Sequence, residues 1–145
     1  METQFRLNEL DALGFQALRK ACIMTPLDDD MLNTALDGSL FTLSAICGDK
    51  LSGMLRVVGD GAFVFLIYDV LVLPECRRRG LGGRLIDHAL RVIETMLPAG
   101  LWVTVNLFSA PGKEDFYRRR GFYALPNENF GSGMQIIVKS VGAKG

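Results

Sequence analysis

The sequence predicts a single α/β domain of the α+β kind: a mixed, mostly antiparallel sheet flanked by helices, in the order β-α-α-β-β-β-α-β-α-β. Three observations predict it. Short Gly/Asp turns separate consecutive apolar runs between residues 40 and 73, which is hairpin patterning. An amphipathic helical stretch then crosses over to a further strand, so the sheet is mixed, with helices on its faces. Finally, the chain has 145 residues, 49% of them hydrophobic, enough for one substantial core over residues 1–145.

The elements follow in order. Phe5 and Leu7 alternate with polar neighbours and read as a short first strand. From Glu9 to about Met24, Leu10, Leu13, Ala17, Leu18 and Ala21 keep helical spacing until Thr25-Pro26-Leu27 interrupts. Asp28-Asp29-Asp30 reads as the capped start of a second short helix reaching Leu36, with acidic residues suited to the dipole. After the turn at Asp37-Gly38-Ser39, strands are expected over Leu40–Cys47, Leu51–Val58 and Phe63–Leu73. Leu85, Ile86, Ala89, Leu90, Ile93 and Leu97 make the apolar face of a long helix that Pro98-Ala99-Gly100 ends. A strand over Leu101–Phe108, a short helix over Lys113–Arg120 closed by Gly121, and a last strand over Met134–Val138 complete the order.

Composition excludes several classes. The net charge is zero, which argues against disorder and against a generally basic nucleic-acid binder. No apolar run reaches the roughly 18 to 20 residues that span a bilayer, so no membrane partner is expected. The first residues carry no basic head or signal-type apolar region, and the cytoplasm is the expected compartment. Cys22, Cys47 and Cys76 are widely spaced, and the chain has one histidine, so neither a disulfide framework nor a metal site is expected.

The most informative stretch is Val70 to Ile86, where an apolar run breaks at Pro74, crosses Arg77-Arg78-Arg79 and meets Gly80, Gly82 and Gly83 at the start of a helix. Glycines admit backbone N–H groups close to an anion, and a helix N-terminus adds about half a positive charge. The stretch contains no G-x-x-x-x-G-K-[ST] and no G-x-G-x-x-G, so the two better-known phosphate loops are absent. What stands here, Arg77-x-x-Gly80-x-Gly82 after a strand, resembles the coenzyme A pyrophosphate loop of the GNAT superfamily of acyl-CoA-dependent N-acyltransferases. The predicted element order is similar to that fold from end to end.

Phe116-Tyr117-Arg118-Arg119-Arg120-Gly121-Phe122 resembles a second GNAT element, F-Y-x-x-x-G-F, in which a tyrosine faces the coenzyme sulfur. Gly131-Ser132-Gly133-Met134 resembles the turn before the last strand in some small members.

The resemblance implies acetyl-CoA as co-substrate and a primary amine, on a small molecule or a protein, as acceptor. It implies that backbone groups near Leu71 and Val72 pair with the pantetheine arm and that one N–H polarises the thioester carbonyl. It further implies that backbone N–H groups of Arg77, Arg78, Arg79, Gly80, Leu81, Gly82 and Gly83 hold the pyrophosphate, with side-chain contacts from an unassigned subset of Arg77, Arg78, Arg79 and Arg84, and that Tyr117 is the acid toward the departing thiolate. A phenol near pKa 10 and a thiol near 8.5 leave that transfer nearly balanced. Asp69 is the candidate base; the alternative is a strand-end charge. An asparagine common in the family about seven residues before the tyrosine is Ala110 here, with Ser109 beside it as a replacement contact. His88 reads as a surface residue. A homodimer is compatible with the composition and the family.

Two other functions fit parts of the sequence. One is an acyl-CoA-binding module of the same fold without catalysis. The other is a nucleic-acid binder using Arg77-Arg78-Arg79 and Arg118-Arg119-Arg120, which the zero net charge and lack of interleaved aromatics weigh against.

Overall fold

Hairpin patterning becomes an antiparallel run of β1 (Thr3–Leu7), β2 (Phe41–Cys47), β3 (Lys50–Gly59) and β4 (Phe65–Val72), which β5 (Val105–Leu107) joins in parallel beside β4. The computed structural model describes residues 2–142. It comprises two units, one up to Phe108 and one from Ser109 onward. The first unit holds the whole sheet and α1 (Ala12–Ala21), α2 (Asp29–Asp37) and α3 (Leu81–Met96); the second holds α4 (Glu114–Arg118). A single 3-10 turn, Pro74–Cys76, leads out of β4.

Each early helix starts where a carboxylate satisfies an N-terminal donor. Asp11 accepts the Gly14 N–H at 2.8 Å, and Asp28 accepts the Met31 N–H at 2.8 Å, which bears out the aspartate cap of α2. The β3–β4 turn is held by Asp60, whose carboxylate accepts the N–H groups of Ala62, Phe63 and Val64. A side chain at Gly59 would place its Cβ 1.9 Å from the Val64 carbonyl oxygen, so only glycine fits.

The two faces of the sheet are told apart on β3. Gly53 faces α3, because a Cβ there would lie 3.2 Å from Leu85 Cδ1 and 3.5 Å from Leu81 Cδ2. Arg56, three residues on and therefore on the other face, reaches the C-terminal end of α2. The core fills both layers with Phe15, Leu18 and Leu32 from the early helices, Met54, Leu55, Phe65 and Ile67 from the strands, and Leu85 and Ile86 from α3.

Three expectations are corrected. In α1 the buried residues are Phe15, Leu18 and Arg19, while Leu13 is exposed, so the helix is turned away from the face that Leu10, Leu13 and Ala17 suggested. The strand expected over Leu101–Phe108 pairs only at Val105–Leu107. The last strand expected over Met134–Val138 is not formed. Met134, Ile136, Ile137 and Val138 are each more than 80% exposed, at 91%, 88%, 84% and 87%. Strand propensity in Ile and Val is largely packing against a neighbour, and here no ladder supplies one.

Candidate active site

The site begins where β4 loses its neighbour. β5 pairs with β4 at Phe65, Leu66 and Ile67 and then ends, leaving Tyr68–Val72 open on that side. Beyond Ile67 and Leu107 the two strands are unpaired. On its other side β4 stays paired with β3 as far as Val72.

Which backbone groups face the open edge follows from alternation. Leu73 donates its N–H to the Ser52 carbonyl at 2.9 Å, so position 73 points at β3. Leu71 points the same way, since its carbonyl oxygen lies 3.2 Å from where a Gly53 Cβ would sit. Val72, one residue out of phase with both, presents its N–H and C=O to the opening. Its carbonyl accepts from the Arg77 Nε at 3.2 Å and the Cys22 Sγ at 3.4 Å. Of the two expected backbone partners, Val72 stands at the edge. Leu71 is corrected to a buried residue whose polar groups serve the β3 ladder.

Beyond the 3-10 turn the chain makes an anion-ready loop. Arg78 (φ 65°) and Gly80 (φ 75°) are left-handed, which curls the backbone ahead of α3. Unlike α1 and α2, α3 starts without a capping side chain, and its first turn holds no acidic residue to oppose an anion. The N–H groups of Leu81, Gly82 and Gly83 precede the helix's first internal bond, from the Arg84 N–H to the Gly80 carbonyl at 3.0 Å. Three donors and the positive end of a 16-residue helix therefore converge on one spot. Leu81 and Gly83 are buried, so they contribute backbone only, while Arg77, Arg78 and Arg79 are exposed around the loop. The loop fits a pyrophosphate, and the open strand edge fits an arm bearing amides.

Arg84 is drawn elsewhere. Its guanidinium stands 4.9 Å over the Phe5 ring of β1, and His88, one turn on, stacks on the same ring at 4.2 Å. His88 is therefore half-buried rather than a surface residue. Burial, with Arg91 and Arg84 nearby, lowers its pKa. Cys76 is buried and packs the loop.

Asp69, the expected candidate base, lies in an ion-pair network. Its side chain is 7% exposed and held by two guanidinium groups: Arg56 Nε at 2.5 Å from Oδ2 and Arg19 Nη1 at 3.7 Å from Oδ1. Both carboxylate oxygens are therefore engaged by guanidinium groups, one from a buried arginine and one from a partly buried one.

The second unit contains the other two expected residues. Tyr117 is half-buried on α4, edge-on to Phe116 at 4.9 Å and to Phe122 at 5.9 Å. Burial pushes its phenol above the ordinary value, so it holds its proton more tightly than a free phenol. Ser109 is exposed and donates its hydroxyl to the Ala110 carbonyl at 2.8 Å, which occupies the group expected to replace the asparagine. Among the described residues no group of His, Cys, Asp or Glu could hold a metal, and no helix is long and apolar enough to cross a membrane.

Sequence reasoning missed Gly53, Arg19 and Arg56. A lone glycine inside an apolar strand was the available signal for Gly53. For Arg19, the signal was an arginine at i+4 from Phe15 on the apolar side of α1.

Comparison with known proteins agrees with this geometry. Residues 38–124 match the family described as acetyltransferase (GNAT) domain. GCN5-related N-acetyltransferase 2, chloroplastic, of Arabidopsis thaliana is 38% identical over 77 residues, 53% of this chain and 28% of that protein. This chain thus spans less than a third of that relative. A GNAT family acetyltransferase of Streptococcus pneumoniae superposes with a TM-score of 0.78 at 27% identity, covering 96% of this chain and all of the other. A protein of unknown function from meticillin-resistant Staphylococcus aureus, named a probable acetyltransferase, gives 0.79 at 28% identity over 94% of this chain and all of the other. By this match, and by the open β4 edge leading into an uncapped, arginine-flanked helix, the chain belongs to the GNAT acetyltransferase family.

Proposed function

We propose that the chain transfers an acetyl group from acetyl-CoA to a primary amine of a small molecule or protein, by direct attack in a ternary complex. The observation that carries this reading is the bare N-terminus of α3, placed where β4 comes free of β5. Leu81, Gly82 and Gly83 offer N–H groups to the pyrophosphate, and Arg77, Arg78 and Arg79 add charges that do not titrate away. Val72 offers its N–H to the pantetheine arm, its carbonyl already accepting from Arg77 and Cys22. The same N–H is the candidate donor toward the thioester carbonyl, where fixed dipoles act without reorganising.

Tyr117 supplies the proton that the departing thiolate needs. With its phenol raised by burial, full transfer runs uphill, so the hydroxyl acts chiefly by hydrogen-bonding the sulfur as charge develops. No side chain is assigned as base, because Asp69 is committed to Arg19 and Arg56; the amine loses its proton to water. Acceptor selection falls to the segments Thr25–Ser39 and Phe122–Gly133.

Calorimetric titration with acetyl-CoA, with dephospho-coenzyme A and ATP as comparisons, tests the proposal. Micromolar binding of acetyl-CoA, followed by thiol release with an amine present, supports it. Binding without thiol release for any amine would favour a non-catalytic acyl-CoA module. Absence of binding would remove both readings.

A further inference from the structure

β4 contains one more residue than the stretch of β3 it pairs with. Met54 is opposite Leu71 and Arg56 is opposite Tyr68, so Leu55 alone faces Asp69 and Val70. That is a β-bulge, and its first residue, Asp69, has φ 52°. Left-handed backbone is unfavourable for an L-residue and persists only where the surroundings hold it. Here the holding groups are identifiable. Arg56 reaches from β3 to one oxygen of Asp69 and Arg19 reaches from α1 to the other. Each arginine is anchored in turn: Arg19 donates to the Thr25 carbonyl at 2.7 Å, and Arg56 lies 3.4 Å from the Ala35 carbonyl and the Ser39 hydroxyl.

We infer that Asp69, clamped between Arg19 and Arg56, is a positioning residue that sets the phase of β4 and thereby selects the backbone groups facing its open edge. A strand alternates with period two, so each inserted residue exchanges the two sides. With the bulge in place, Leu71 and Leu73 point at β3 and Val72 points into the opening. A β4 with the bulge ironed out would turn Val72 inward and Leu71 outward. The loop that follows is shaped by its own left-handed residues, Arg78 and Gly80, and does not depend on this phase. The inference rests on the reading of the open edge as the donor site, and it separates two parts of that site: the anion loop, and the strand edge that Asp69 controls.

The test compares acetyl-CoA with 3′-phospho-ADP, which carries the phosphates without the pantetheine arm, on three variants. Asp69→Val, β-branched and unsuited to positive φ, should weaken acetyl-CoA by about tenfold or more and lower kcat by about a hundredfold. Its 3′-phospho-ADP affinity should stay within about threefold, because the anion loop is intact. Asp69→Asn tolerates the left-handed backbone and keeps an acceptor for Arg56, so it should stay close to the parent and retain the acid limb of its kcat–pH profile. Asp69→Gly should fall between them. Loss of 3′-phospho-ADP binding in Asp69→Val would mean a misfolded variant, and the order of Asn above Gly then decides. Asp69→Asn as damaged as Asp69→Val, with its acid limb gone, would overturn the inference in favour of a base. Val and Gly variants equal to the parent would overturn it outright. Amide exchange keeps the inference separate from the donor-site reading. If the parent binds neither ligand, that reading fails, yet exchange at Val72 should still be fast in the parent and slow in Asp69→Val. Equal exchange in both would sink the inference alone.

Discussion

Tyr117 and His88 are both shifted by burial, with different consequences. A phenol raised above its ordinary value stays protonated across the working range, so it donates a hydrogen bond at every pH at which the protein functions. Tyr117→Phe should therefore lower kcat by about a hundredfold while leaving the acetyl-CoA Kd within about twofold, the pattern of a group used only as charge develops. Stopped-flow thiol release beside calorimetry checks this, and an unchanged kcat would remove Tyr117 from the mechanism. His88 acts on stability instead. Its folded pKa lies below the unfolded value of about 6.5, so the unfolded chain takes up the proton first as pH falls. The stability that neutral His88 contributes is complete above about pH 6.5 and is lost as pH falls from there through the lower folded pKa. His88→Phe, which keeps a ring on Phe5, should flatten the decline of Tm between about pH 7 and 5. An identical decline in both proteins would show that other groups cause it. The burial of His88 was not legible beforehand, because it is drawn in by Phe5, a residue more than 80 positions away in the sequence.

At the scale of elements, α3 was the part most legible in the sequence, and the reason is local. Its apolar spacing, its glycines and the proline before its loop all lie within one stretch, and no distant partner is needed to read them. The bulge in β4 was illegible because it depends on Arg19 and Arg56, which come from α1 and β3. Leu71 was misassigned for the same reason, since one inserted residue reverses the edge it faces. Two substitutions test α3 as a positioned element. Gly82→Glu puts a negative side chain beside three donors meant for an anion, and acetyl-CoA binding should be abolished by repulsion and bulk. Retained binding would show that the pyrophosphate lies elsewhere. Gly53→Ala should destabilise the fold by about 1–2 kcal/mol in urea, as overpacking does. Its new methyl meets the Leu71 carbonyl and Leu85 Cδ1 at 3.2 Å, and the carbonyl belongs to a strand that cannot retreat. A stabilised Gly53→Ala would mean that α3 stands off the sheet, with the entropy gain at glycine winning.

Over the whole molecule, the hairpin order and the crossover were read correctly because turn residues mark them, whereas the final strand was not, because a strand is made by its partner as much as by its own residues. Met134–Val138 has strand composition and is nonetheless exposed along its length. Exchange of amide hydrogen, with and without acetyl-CoA, tests how this chain divides its stability. Amides of β2, β3 and β4 that donate within the ladders, which leaves out outward-facing ones such as Val72, should open only with global unfolding. A ligand at one hundred times its Kd stabilises the folded state by about 2.7 kcal/mol, so those amides should slow by about a hundredfold. Amides at 134–138 lie outside any ladder and should exchange quickly with or without ligand. The segment that decides the mechanism is Glu114–Phe122, which carries Tyr117 in the second unit. If Tyr117 acts on the coenzyme sulfur, its surroundings are ordered by the bound donor, and the α4 amides should slow beyond their value in the free protein. Protection of the loop from Arg77 to Arg84 with no change across α4 would confirm the anion site and show that the proton comes from water rather than from Tyr117.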